Sequence, residues 1–219
     1  MVKNKIIVYF HIATIGNYQE IVNEVFESLN KTNLINVADK LNLCVVGDGD
    51  VNYPKNWNIE YCQNPDITVG EFYTLKLIEN YSKQTLTNDK ILYIHTKGVT
   101  TPNNECINDW REYMLYFNVE KHTEAIKQLE EYDTYGVDLV DEPTKHYSGN
   151  FWWVNSEHIN KLPSIDEISD KNAKAILTVR HNAEFWLTMS EGKHKSAHNS
   201  KINVYERHLH RYEKNKYID

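Results

Sequence analysis

Apolar residues in the first third of the chain alternate between short unbroken runs and helical spacing. Residues 6–10 form a β-branched and aromatic run that predicts a buried strand followed by a small-residue loop. In residues 17–29 the apolar positions recur at intervals of three and four, which predicts an amphipathic helix. Runs at 41–46 and 59–62 predict two further strands, the first of which ends in a Gly-Asp turn. The chain therefore opens in the order β-α-β-β.

The same alternation continues to the end of the chain. The further predicted elements are a helix over 71–81, a buried strand over 91–94, a long helix over 105–131, strands over 134–140 and 151–154, a short helix capped by Ser156 and ended by Pro163, and a helix over 183–190. Strands separated by helices predict an α/β fold with a mostly parallel sheet and helices on both faces. Ligands bind such sheets outside the carboxyl ends of the strands. We therefore expect the functional site in the loops after residues 10, 46 and 94 and in the segment 146–150.

Composition narrows the class of protein. A chain of 219 residues with 41% hydrophobic and 25% charged residues is typical of one globular domain, so we expect a single domain over 1–219. No apolar run approaches the roughly 20 residues that span a bilayer, and the apolar start is too short for a secretion signal. We therefore expect a cytoplasmic protein without a membrane span. The net charge of -7, with dispersed basic residues, argues against a nucleic-acid partner.

A basic cluster follows the strand predicted over 91–94. His95, Thr96, Lys97 and Gly98 stand at the mouth of the sheet, where the glycine allows a tight backbone turn. A diphosphate would suit such a mouth. When a sugar is transferred from a nucleotide diphosphate, for example, a cation or metal must stabilise the charge on the departing diphosphate. Lys97 could supply that charge directly and His95 could act as donor or metal ligand. The alternative is a turn whose His and Lys are only solvated.

Two pairs of residues are candidates for a divalent cation, Mn or Mg. Asp48 and Asp50 form an Asp-x-Asp at the end of an apolar strand, a spacing that suits a cation shared with a diphosphate. A plain strand-ending turn has the same composition. His208 and His210 face the same side only if their segment is extended, and a solvated basic tail is the alternative.

The segment 146–153 joins polar residues to an aromatic strand. Ser148, Gly149 and Asn150 precede Trp152 and Trp153, and sugars bind well to aromatic faces beside hydrogen-bonding groups. We therefore expect an acceptor or donor sugar here. Because neighbouring residues of a strand point to opposite faces, at least one of the two tryptophans belongs to the core.

Glu184 is the candidate for acid–base chemistry. It stands near a predicted helix start, and an ionised carboxylate can remove a proton from an acceptor hydroxyl at neutral pH. The alternative is that Glu184 only complements the helix dipole. Nearby Arg180 could bind phosphate or form a surface ion pair. At the other end of the chain, His11 and Thr14 follow the first strand and could help to seat a nucleotide.

Five motifs together resemble a known family. They are Tyr9-Phe10-His11-Ile12, the run 71–75, the run 91–99, Asn108-Asp109-Trp110-Arg111 and the run 148–153. The chain resembles, from about residue 6 to 186, the small GT-A-like glycosyltransferase domains of large DNA viruses and bacteria. The resemblance implies a nucleotide-sugar donor bound by about residues 1–100 and a glycan or glycoprotein acceptor bound by about 101–219. It also implies the host cytoplasm as the location if the protein is viral.

The chain departs from the GT-A pattern at one point. That fold usually ends its fourth strand in Asp-x-Asp, where this sequence has His95-Thr96-Lys97, so metal dependence stays open. The resemblance implies that Glu184 is the base of an inverting transferase and that His208 and His210 complete the donor site. A catalytically silent nucleotide- or sugar-binding module is the alternative. A nucleotidyltransferase is a third possibility, but the loop 11–17 has one glycine where that class wraps a triphosphate with several.

Overall fold

A seven-stranded sheet runs through the centre of the protein. The architecture is that of a computed structural model, which describes residues 3–218. The strands of this sheet are β1 (Ile6–Ala13), β2 (Lys40–Val46), β3 (Ile59–Asn64), β4 (Lys90–His95), β5 (Thr134–Gly136), β8 (Trp152–Asn155) and β9 (His194–Ser196). Their order is β3-β2-β1-β4-β8-β5-β9. A separate two-stranded sheet pairs β6 (Leu139–Val140) with β7 (His146–Tyr147).

The sheet is parallel except at one strand. β1 lies between β2 and β4 and runs parallel to both, while β3 extends the parallel part beyond β2. β8 pairs antiparallel with β4 and with β5, and β9 runs parallel to β5. The predicted α/β fold with a mostly parallel sheet is therefore confirmed.

The alternation of apolar residues explains why the strands are buried on both faces. In β1, Val8 and Phe10 pack into one hydrophobic cluster, whereas Ile7 and Tyr9 pack into the cluster on the opposite face. Successive side chains of a strand point to opposite faces, so an unbroken apolar run fills both cores at once.

Helices cover both faces of the sheet. They are α1 (Tyr18–Lys31), α2 (Leu34–Val37), α3 (Phe72–Gln84), α4 (Glu105–Leu115), α5 (His122–Gln128), α6 (Ser156–Ile159), α7 (Ile165–Ser169) and α8 (Asn182–Phe185). Residues of α1 and α4 pack into one cluster, and residues of α3 pack into the other. Within residues 3–218, no helix combines the length and the apolar character needed to cross a membrane.

The long helix predicted over 105–131 is interrupted. A π-helical turn over Tyr116–Glu120 separates α4 from α5. At this turn the backbone carbonyl of Asn118 accepts a hydrogen bond of 2.8 Å from the indole Nε1 of Trp153, which joins the helix to β8. Amphipathic spacing reports which face is buried, but it does not report a local change of helix type.

Two other predicted elements are shorter than expected. The strand predicted over 134–140 divides between β5 and β6, which belong to different sheets, because Asp138 between them has a left-handed backbone with φ of 47°. The helix predicted over 183–190 ends as α8 at Phe185 and continues as a 3-10 turn over Trp186–Thr188. There the buried Trp186 donates its indole N–H to the carbonyl of Pro163 at 2.9 Å.

Candidate functional site

The strand order changes direction between β1 and β4, and we call the region at the carboxyl ends of these two strands the crevice. After β1 the chain continues to β2 and β3 on one side, whereas β4 lies on the other side. Ligands of open parallel sheets bind at such a change of direction. His11 and His95 are directly paired across these two strands, so two of the predicted site residues meet at this point.

Glu71, immediately before α3, forms the centre of a buried polar network beside the histidines. Its Oε2 accepts hydrogen bonds of 2.7 Å from the Tyr93 hydroxyl and from Asn150 Nδ2. Burial acts to raise the pKa of Glu71, but the neighbouring His95 and His11 and the two hydrogen bonds lower it to about 2. The group is therefore a carboxylate throughout the physiological range.

Both imidazoles are neutral at neutral pH. Burial lowers the pKa of His11 to about 4 and also lowers the pKa of His95. His95 Nε2 lies 2.9 Å from the carbonyl oxygen of Gly149, so this nitrogen carries the proton and donates it. His11 Nδ1 lies 2.8 Å from the Thr74 hydroxyl. His95 therefore contributes a neutral ring rather than the positive charge that a diphosphate requires.

Lys97 is the cation at the end of β4. Its Nζ lies 4.2 Å from the centre of the Trp110 ring, a cation–π contact. The Lys97 carbonyl accepts a hydrogen bond of 2.9 Å from Arg111 Nη1, and Arg111 also pairs with Glu24 on α1. Gly98 has φ of 97°, and a Cβ there would lie 2.8 Å from Ile107. The loop that carries Lys97 is therefore held closely against α4.

Two threonines join the loops around the crevice. The Thr96 hydroxyl accepts a hydrogen bond of 3.1 Å from the backbone N–H of Ala13, which links the ends of β4 and β1. The Thr14 hydroxyl donates to the Val46 carbonyl at 3.2 Å and accepts from the Gly49 N–H at 3.1 Å. Both predicted nucleotide contacts thus stand at the crevice, where their hydroxyls shape the backbone.

The turn after β7 closes the crevice on the side of β8. Gly149 has φ of 96°, and a Cβ there would lie 2.4 Å from Met114 Sδ and 3.0 Å from the Trp110 ring. Asn150 uses both ends of its side-chain amide, because Nδ2 donates to Glu71 and Oδ1 accepts from Trp152 Nε1 at 2.8 Å. Its amide therefore positions Glu71.

Trp152 belongs to the core and offers no platform for a sugar. Its side chain is 1% exposed, and its ring stacks on Tyr93 with centroids 4.8 Å apart. The expectation that Trp152 contacts a sugar is therefore corrected, because the faces of its ring are covered. Trp153, on the opposite face of the strand, is equally buried.

Glu184 lies on α8, far from β4 in sequence, and is one of the charges that act on Tyr93 and His95. Burial raises the pKa of Tyr93 well above its usual range, and the charges of Glu71 and Glu184 raise it further. The charge of Glu184 also raises the pKa of His95, but burial lowers that pKa by more. Within residues 3–218 the half-buried Glu184 carboxylate forms no ion pair and no side-chain hydrogen bond.

The remaining predicted residues lie at the surface. Arg180 is exposed, and in the 3–218 range its guanidinium forms no ion pair. Asp48 and Asp50 are exposed in the loop after β2, and the Asp50 carbonyl accepts a hydrogen bond from Tyr18. His208 and His210 are exposed in the C-terminal segment, where His210 Nε2 lies 3.5 Å from Glu206. Among the residues described, no three or more His, Cys, Asp or Glu side chains are grouped to hold a metal ion.

Glu71 and Arg207 were not predicted as site residues from the sequence. Glu71 follows Gly70 at the start of the helix between β3 and β4, and such a helix begins at the carboxyl edge of the sheet. That position was the available signal. Arg207 is 2% exposed and forms an ion pair with the buried Asp138. Its place within an otherwise polar tail gave no signal, because only the fold reveals its burial.

The protein is an α/β protein with a mostly parallel seven-stranded sheet, an architecture compatible with a Rossmann-like fold, and polar side chains lie where the strand order changes direction. The chain belongs to the family described as Domain of unknown function (DUF8361), which matches residues 11–213. That range begins at His11 and includes Glu71, His95 and Glu184. No curated protein sequence matches the chain.

Proposed function

We propose that this protein is a glycosyltransferase that moves a sugar from a nucleotide-diphosphate donor to a glycan or protein-linked acceptor. The observation that carries the proposal is the Lys97 ammonium, which lies 4.2 Å from the centre of the Trp110 ring at the carboxyl end of β4, with the half-buried Glu184 among the charges that act on His95 and Tyr93. A transferase that reacts in one displacement needs one such base beside its donor site.

The crevice between β1 and β4 is the donor site in this proposal. The parallel order β3-β2-β1-β4 is the order in which Rossmann-like sheets bind nucleotides at the carboxyl edge. Lys97 stands at that edge and supplies a positive charge for the diphosphate. The resemblance to GT-A domains supports the same assignment of the donor to the first half of the chain.

The reaction is a single displacement with inversion at the sugar. The acceptor hydroxyl oxygen forms a bond to the anomeric carbon while the bond from that carbon to the diphosphate oxygen breaks. The electron pair of the broken bond leaves with the nucleotide diphosphate, and Glu184 takes the proton of the hydroxyl. Lys97 stabilises the charge that accumulates on the leaving group.

The proposal routes no step through a divalent cation. β4 ends in His95-Thr96-Lys97, and the part of the chain that is described contains no group of three metal-ligand side chains. Asp48 and Asp50 supply two carboxylates on one exposed loop, so Mg or Mn held there would take its other oxygen ligands from the diphosphate and from water. A lysine at the end of β4 offers the same charge stabilisation without a metal.

One alternative is favoured by a specific observation. A nucleotide- or sugar-binding module that performs no reaction would also lack Asp-x-Asp at the end of β4. Binding of a nucleotide is common to both functions, whereas release of a nucleotide diphosphate belongs only to the enzyme.

The function is tested by incubating the protein with a panel of nucleotide sugars, with and without manganese, and measuring released nucleotide diphosphate. We expect slow release from one donor in water and faster release when a suitable glycan is added. Glu184→Gln should lower the rate of transfer by at least about 100-fold with little change in KM for the donor, because it removes the base.

A matched control is Glu191→Gln, which removes a carboxylate at an exposed position further along the chain. This variant should retain the wild-type rate. Binding of a nucleotide without release from any donor would identify the silent module. Equal rates for Glu184→Gln and the wild type would remove Glu184 from the mechanism.

A further inference from the structure

Four buried hydrogen-bond donors near the candidate site lack an acceptor. They are Nε and Nη1 of Arg207, the indole Nε1 of Trp110 and the hydroxyl of Ser148, none of which has a hydrogen-bond partner among the described residues. Arg207 is 2% exposed, Trp110 is 8% exposed and Ser148 is 2% exposed. Buried donors in folded proteins almost always have an acceptor, so several orphans in one neighbourhood require an explanation.

These donors belong to residues that surround one ring. The Arg207 guanidinium carbon lies 5.4 Å from the centre of the Trp110 ring. The turn that carries Ser148 and Gly149 packs on the same ring, since a Cβ at Gly149 would lie 3.0 Å from it. Lys97 Nζ lies 4.2 Å from the centre of that ring. Donors from four separate segments of the chain therefore meet around Trp110.

Asp138 is a partner for only one of the three guanidinium nitrogens of Arg207. It pairs with Nη2, which also donates to the Ser200 hydroxyl, and this leaves Nε and Nη1 without partners. Asp138 offsets one positive charge, and Lys97 supplies a second. The cluster thus combines a net positive charge with unused N–H and O–H donors.

We infer that Arg207, Trp110 and Ser148 form a phosphate-binding site next to the crevice, with Lys97 at its edge. A phosphate group carries several acceptor oxygens and negative charge, which is the chemistry that the unused donors lack. Because the Gly149 carbonyl accepts from His95, this site adjoins the proposed donor crevice. The inference rests on the proposed function to the extent that the phosphate belongs to the nucleotide-diphosphate donor.

The C-terminal segment 200–209 places Arg207 over the Trp110 ring. Apart from Arg207, its residues are exposed or half-buried, and Ser200 and Arg207 attach it to Asp138. A phosphate therefore reaches the cluster when this segment shifts outward, and it is held beneath the segment afterwards. Arg207 connects the ligand to the segment that encloses it.

The probe for this site is inorganic pyrophosphate, measured by 31P NMR line broadening and by the shift in Tm. The wild type should bind it, whereas sodium chloride at equal ionic strength should have no such effect. Ser148→Ala and Trp110→Phe each remove one unused donor and should weaken pyrophosphate binding about tenfold. Neither change breaks a hydrogen bond within the described protein, so both variants should fold.

Ser28→Ala is the matched control, because it removes a buried and unpartnered hydroxyl on α1. It should bind pyrophosphate as the wild type does. Absence of pyrophosphate binding by the wild type, or unchanged binding by both Ser148→Ala and Trp110→Phe, would overturn the inference and leave ordered water as the partner of these donors.

The two proposals fail in different ways. Pyrophosphate binding that depends on Ser148 and Trp110, without turnover of any nucleotide sugar, would support the site and refute the enzyme. The opposite result is also possible: Ser148→Ala and Trp110→Phe turn over a nucleotide sugar and keep the wild-type pyrophosphate binding and donor KM. That result would support the enzyme and refute the site.

Discussion

Two buried imidazoles, His11 and His95, meet a buried carboxylate where β1 and β4 end. Strand pairing fixes the two histidines side by side, and Glu71 completes the group from the start of α3. Burial keeps the rings neutral at neutral pH, while Glu71, with a pKa of about 2 and two donated hydrogen bonds, stays charged. The proposed positive charge must therefore come from Lys97 and Arg207 rather than from histidine.

The neutral state of His11 predicts a specific loss of stability in mild acid. Its pKa is about 4 in the folded protein and about 6.5 when unfolded, so the unfolded chain binds more protons between these values. The resulting stability is complete above pH 6.5 and is lost as the pH falls towards 4. In the wild type, His11 lowers the free energy of unfolding by about 2 kcal/mol between pH 7.5 and 5. His11→Gln should show a fall that is smaller by this amount.

Urea unfolding at the two pH values measures this difference. His208→Gln, at an exposed position, should keep the wild-type pH dependence. Glu71 does not contribute in this window, because its pKa of about 2 affects stability only below about pH 4.5. An unchanged fall for His11→Gln would mean that His11 is not the neutral, buried group described here.

At the scale of elements, the turn between β7 and β8 holds the crevice together. The positive φ of Gly149 aims its carbonyl at His95 and brings its backbone against Trp110 and Met114. Gly149→Ala should lower the free energy of unfolding by about 3 kcal/mol, because a Cβ meets both a strained backbone and filled space.

Gly70→Ala separates the cost of the strained backbone from the cost of placing a Cβ in filled space. Gly70 also has a positive φ, of 53°, but no atom lies within 4 Å of a Cβ built there. This variant should lose only about 1 kcal/mol, which is the cost of the backbone conformation. Equal losses for the two variants, in urea unfolding, would contradict the close packing described for Gly149.

The main strands and helices could be predicted from the sequence, because burial on one or both faces leaves a period in the chain. The strand 91–94 and the helix 17–29 are examples: β4 contains the strand, and α1 contains the helix apart from its first residue. The division of the long helix at Tyr116 and of the strand at Asp138 could not be predicted, since both depend on contacts with distant residues. Trp153 reaches Asn118, and Arg207 reaches Asp138.

The candidate site was predictable to the extent that it follows strand ends. His11, His95 and Lys97 were found because they follow or end apolar runs, and the parallel sheet brings them together. Glu184 acts electrostatically on His95, whereas Arg180, Asp48 and His208 are exposed. Glu71 and Arg207 were missed because their role depends on burial by segments far away in sequence.

At the scale of the whole molecule, we propose that residues from both halves of the chain form one site. In the proposal, the ends of β1 and β4, α4, the turn at Gly149, α8 and the C-terminal segment each contribute residues to this site. Binding of a ligand between these parts stabilises the folded state by mass action, so it is visible as a rise in Tm. A ligand at 100 times its Kd adds about 2.7 kcal/mol, or roughly 5–10 °C for a chain of this size.

The most direct measurement is the Tm of the protein with a panel of nucleotide diphosphates, each compared with its nucleoside. The account predicts that one nucleotide diphosphate raises Tm by roughly 5–10 °C at saturation while its nucleoside has a much smaller effect. Lys97→Met keeps an apolar side chain on Trp110 but removes the charge, and it should weaken this binding about tenfold. If no nucleotide diphosphate shifts Tm, or if Lys97→Met binds as the wild type does, the crevice is not a diphosphate site.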